Sequence, residues 1–161
     1  MKAATVKELK TELGNCSPDE LLQICLRLSK FKKENKELLT YLLYEAPNEA
    51  GYIENVKRAL NEQFGQINNK SYYYIKKSVR KILRNCKKYI RYSQKKETEV
   101  DLLIYFCSEL KSIRPTIVKN VQLHNIYKRQ LNTIRKTVSL LHEDLQFDYE
   151  EELNELDLIF S

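Results

Sequence analysis

Apolar positions recur along this chain at three- and four-residue steps, and no segment sustains the strict alternation of a half-buried strand. Helices are therefore predicted throughout. The first runs from Thr5 to Leu13 and stops at Gly14, a residue suited to the left-handed position after a helix. Ser17-Pro18-Asp19-Glu20 then gives a strong start signal: a hydroxyl at N-cap, proline at the first helical position and a glutamate that can reach back to the cap amide. The LLQICLRL that follows is apolar nearly all round, which predicts a central helix. After the polar run 30–36, Leu38, Leu39, Leu42 and Ala46 form a stripe that Pro47 ends. Ile53, Val56, Leu60, Phe64 and Ile67 make the next stripe, with Asn68 and Asn69 as candidate caps for the helix beyond.

A sixth helix is expected from about Thr98 to Ile113, ahead of Pro115, with VDLLIYFC buried. The seam Leu123, Tyr127, Leu131, Ile134, Val138, Leu141 and Leu145 predicts one long surface helix over 116–145. Leu153, Leu156 and then Ile159 or Phe160 keep helical spacing, so the tail reads as a short docked helix. Together these elements predict an all-α protein of six to seven helices, in a compact bundle or a short αα-superhelix, with residues 1–161 as one domain. The wide apolar arcs of the second and sixth helices place those two at the centre.

The segment Lys70 to Lys96 changes the picture from fold to function. It carries eleven Lys and Arg and no acid. At 100° per residue from Ile75, the residues Val79, Ile82, Leu83, Cys86, Tyr89 and Ile90 share an arc of about 120°. Lys76, Lys77, Arg80, Lys81, Arg84, Lys87, Lys88 and Arg91 take the opposite side, along a strip about 22 Å long at ~1.5 Å per residue. Tyr73 projects into the middle of that strip, with Tyr74 and Tyr92 at its border. Cations interleaved with an aromatic can neutralise backbone phosphates while the ring stacks on an unpaired base. Nothing in the spacing would place side chains on base edges, so binding without sequence preference is expected.

Composition narrows the alternatives. The formal charge of +6 conceals an asymmetry, since residues 143–161 hold eight acids and no base while residues 1–142 set 28 basic against 14 acidic side chains, a net of +14. Gly14, Gly51 and Gly65 are too far apart for a phosphate-cradling loop, so no nucleotide cofactor is implied. His124 and His142 stand about 27 Å apart along the expected helix and would not share a metal. Cys25, Cys86 and Cys107 sit among apolar positions and read as buried thiols, with no paired spacing of a disulfide or zinc framework. Without an apolar leader or a membrane-length apolar run, a cytoplasmic protein is expected.

The segment VKELKTELGNCSPDELLQICLRL resembles in outline the two-helix SAP module, which would imply DNA binding. It departs from that module by lacking a basic, glycine-containing link and by offering only Arg27 and Lys30 on its second helix, so the residues themselves predict an ordinary helical hairpin. The function expected overall is non-enzymatic and cofactor-free: electrostatic binding of a polyanion, nucleic acid first, through the basic helix. The second reading is a protein-interaction or structural module, with an acidic protein partner or with the strip solvated or neutralised by the acidic tail.

Overall fold

The computed structural model describes residues 1–158; the expected tail contacts of Ile159 and Phe160 lie outside the described residues. The chain is all-α, and no strand occurs among the described residues. Contacts gather into two compact units, residues 1–44 and 45–161.

The first unit holds α1 (Val6–Gly14), α2 (Pro18–Phe31) and α3 (Lys33–Thr40). Local chemistry sets its helix starts. Thr5 and Glu8 form one reciprocal capping box and Ser17 and Glu20 another, with Pro18 at the head of α2. Helix α1 runs through Gly14, and no glycine among the described residues has a positive φ, so the expected left-handed stop is not used there. Lys32, extended at φ −141° and ψ 149°, separates α2 from α3. These two helices pack on each other, with Asn35 Nδ2 donating to the Leu28 carbonyl at 2.9 Å over a shallow apolar groove that includes Cys25, Leu38 and Leu42. No residue of α1, α2 or α3 is buried. The expectation that the second helix is central, and that Cys25 is a buried thiol, is therefore corrected: the apolar residues of α2 look several ways, but α3 covers only one of those ways.

A π-helical turn, Tyr41–Glu45, and a 3-10 turn, Ala46–Asn48, lead into the second unit, and Pro47 falls in that turn as its sequence requires. The unit comprises α4 (Glu49–Gly65), α5 (Tyr72–Ser93), α6 (Lys96–Ser112), α7 (Val121–Val138) and α8 (Glu143–Asp157). Helix α6 is its axis. Thr98, Val100, Leu102, Leu103, Ile104, Phe106, Cys107 and Leu110 are buried on it, and α4, α5, α7 and α8 all pack against it. Tyr52, Val56, Leu60 and Phe64 bring one four-residue stripe from α4, and the Phe64 and Phe106 rings meet at 5.6 Å.

The predicted long helix over 116–145 divides in two. Ser139 Oγ donates to the Lys136 carbonyl as α7 ends, and the His142 ring nitrogen accepts from the Asp144 amide at 3.3 Å as α8 begins. The continued leucine spacing through Leu141 and Leu145 hid this break. Helix α8 lies on α6 and α7, where Leu156 is buried and its carbonyl accepts a 2.7 Å hydrogen bond from the Tyr127 hydroxyl.

Candidate functional site

Helix α5 divides its circumference between two solvents. Ile75, Val79, Ile82, Cys86 and Ile90 are buried against the unit, while Tyr73, Lys77, Arg80, Lys81, Arg84, Lys87 and Arg91 are exposed. Lys76 and Lys88 are half-buried at the flanks. All nine candidate residues thus lie on one helix. The helix starts after Ser71, whose side chain makes no capping bond; Asn68 instead accepts from the Lys70 amide at 3.0 Å, which corrects the expected asparagine cap.

Four contacts hold the strip in place. At its beginning the Tyr72 hydroxyl donates to the Thr116 carbonyl at 2.9 Å, and Arg80 Nη2 donates to Gln122 Oε1 at 3.1 Å. On the other border Asn85 Nδ2 donates to Gln63 Oε1 at 2.7 Å, and the Tyr52 hydroxyl donates to the Tyr89 carbonyl at 2.9 Å. At its end Gln94 adopts a left-handed φ of 59° and donates its amide to the Ile90 carbonyl at 2.9 Å, so only Gln94 and Lys95 separate α5 from α6. Glu49 at the head of α4 accepts from the Thr98 hydroxyl at 2.6 Å and from the Ser93 hydroxyl, and pairs with Lys95 at 3.2 Å, which ties three helix ends together.

The aromatics are placed unevenly. The Tyr73 and Tyr74 rings meet edge to face at 5.3 Å on the exposed side, and Tyr73 stands 66% exposed. Lys88 lies over the Tyr89 ring at 4.8 Å and the Tyr92 ring at 6.0 Å. Gln122 is a neighbour that sequence reasoning missed. It stands 42 residues from Arg80, and only tertiary packing brings an amide to the edge of the strip.

Helix α8 is held to α6 and α7. Asp157 pairs with Arg135 on α7, Tyr149 donates to Asp101 Oδ1 on α6 at 2.8 Å, and Lys111 Nζ donates to the Glu155 carbonyl at 2.7 Å. Desolvation, then the Asp101 hydrogen bond and charge, raises the Tyr149 phenol well above its ordinary range. Among the described residues, no ion pair joins Lys76, Lys77, Arg80, Lys81, Arg84, Lys87 or Arg91 to an acid.

The remaining candidate chemistry is inert in character. Burial pushes the Cys86 thiol up to about 12, and its Sγ lies 3.7 Å from the Leu102 carbonyl; Cys107 is raised further by the same cause. A nucleophilic cysteine requires the opposite shift. No cluster of three or more His, Cys, Asp or Glu side chains able to hold a metal occurs among the described residues. None of the described helices is long and apolar enough to cross a membrane.

Fold and site together define an all-helical protein that presents one fixed, cationic helix face. No family model, curated protein or solved structure matches the chain.

Proposed function

We propose that this protein is a non-enzymatic helical module that binds a polyanion, with nucleic acid as the first ligand, along the exposed face of α5 and without reading base sequence. One observation carries this reading: a run of exposed cations on a helix fixed at both ends, left without acidic partners among the described residues. Helical surfaces of this kind neutralise phosphates by spacing and charge, and an exposed Tyr73 adds a stacking platform for an unpaired base. The alternative in which the acidic tail neutralises the strip has less support, because Asp157 pairs with Arg135 on α7 and no ion pair joins the exposed α5 cations to an acid among the described residues. The buried, raised thiols of Cys86 and Cys107 support a module without covalent catalysis.

Fluorescence anisotropy with short single- and double-stranded DNA and RNA tests the proposal. Micromolar binding is expected at 50 mM salt, falling on the order of 10³-fold by 200 mM if about five or six phosphates are neutralised. A variant with Lys76, Arg80, Arg84 and Lys87 changed to Glu should stay helical and lose binding. Absence of binding at low salt, or full binding by the charge-reversed variant, overturns the assignment.

A further inference from the structure

The first unit is built from helices that cover almost nothing, although α1 and α2 begin with complete capping boxes. Val6 is 82% exposed, Leu22 is 52% exposed and Phe31 is 76% exposed, with Leu9, Leu13 and Leu26 also open to solvent. A segment of 44 residues whose helices α1, α2 and α3 bury no residue lacks the apolar burial that makes so small a unit stable by itself. Leu22 and Leu26 lie four residues apart on α2, 52% and 40% exposed.

The order of charges on α2 says what kind of partner fits. One face of α2 faces α3 through Cys25 and Leu28. About 120° away, Asp19, Leu22, Leu26 and Lys30 follow one another at steps of three and four along a second face. This face carries an acid at its N-terminal end, two leucines in the middle and a base at its C-terminal end. All four residues are exposed, and neither Asp19 nor Lys30 is in an ion pair among the described residues. Such a face complements itself when two copies run antiparallel. Leu22 of each meets Leu26 of the other, Asp19 of each meets Lys30 of the other, and the helix dipoles oppose.

We infer that residues 1–44 form a homodimerisation arm in which the α2 helices of two copies pair antiparallel through Asp19, Leu22, Leu26 and Lys30. The contact is isologous and closes at two copies. It uses a different part of the chain from the cationic strip, so either assignment stands without the other.

Sedimentation equilibrium of the full chain, with circular dichroism to follow the fold, tests this arm. The wild-type chain should show a concentration-dependent dimer. Leu22→Asp with Leu26→Asp should be monomeric at every concentration, and because both positions are exposed the helicity of residues 45–161 should persist. Asp19→Lys alone and Lys30→Asp alone should each weaken dimerisation about tenfold, which is about 1.4 kcal/mol, and the two together should restore it. A chain that stays monomeric at high micromolar concentration overturns the inference. So does a dimer unaffected by the leucine changes, or one that the combined charge exchange fails to restore. A monomer that instead captures an unrelated protein through α2 also overturns it.

Discussion

Helices α1 and α2 of the first unit have the complete capping boxes, and residues 45–161 have the core. Both helices α1 and α2 begin with complete capping boxes, whereas α5 and α6, the two longest-buried neighbours in the second unit, begin with no side-chain cap at all. Yet α6 buries eight residues and α2 buries none. Capping satisfies the orphan amides of one helix end and contributes about 1 kcal/mol wherever that helix sits. Burial depends on what other elements arrive to cover an apolar stripe, and that is decided far away in sequence. The two units separate these contributions within one chain: local order without a core, and a core that tolerates weak local signals.

Substitutions in the two units should break along that line. Phe106→Ala, which removes a fully buried ring packed on Phe64, should cost about 4 kcal/mol in urea denaturation. Leu22→Ala in α2, measured at low protein concentration, should change the same transition by less than about 0.5 kcal/mol. Comparable costs at both positions would erase the distinction between the units.

Alkaline pH sharpens it further, because the raised thiols belong to the core. In the unfolded chain Cys86 and Cys107 ionise near pH ~8.5, whereas in the folded chain Cys86 holds its proton up to about 12 and Cys107 beyond that. The folded state therefore binds more protons above pH ~8.5. Stability is fully present below that value and falls as pH rises towards the folded values, by about 1.4 kcal/mol per pH unit for each thiol. Between pH 9 and 10 the expected loss is on the order of 2 kcal/mol, seen as a falling urea midpoint, and Cys86→Ala with Cys107→Ala should flatten it. A midpoint that stays level over this range in the wild-type chain would show that these thiols are open to ionisation.

The most local effect belongs to the first unit. Ser17→Ala removes the side-chain acceptor for the Glu20 amide, now at 3.2 Å, and should lower the stability of α2 by about 1 kcal/mol. Amide hydrogen exchange should register this as faster exchange in residues 18–31 alone, with residues 45–161 unchanged.

The helical class, the start of α2, the Pro47 turn and both faces of α5 were legible because each rests on nearest neighbours in sequence or on one helical period. The central place of α6 was legible for the same reason, since VDLLIYFC is apolar on every side. That same test misled at LLQICLRL, where apolar breadth marks surface without stating what covers it. The division of 116–145 stayed hidden because Leu141 and Leu145 keep the period, while the stop depends on Ser139 and His142 turning to bond their own backbone. For the site, sequence placed all nine candidate side chains on one helix, but the Gln122 amide beside Arg80 required tertiary contact.

The turn at Gln94 has a mechanical consequence. With two residues joining α5 to α6 and Tyr72 anchored at the far end, the strip behaves as a stiff bar about 22 Å long rather than a conforming arm. A polyanion bound there, as proposed, would have to follow the bar. A single strand drapes along a straight bar at little cost, whereas a duplex, stiff over ~150 base pairs, keeps its own helical course and meets the bar over a shorter length. Under the proposed function, rigidity in the protein would sort ligands by compliance, independent of the bases they carry.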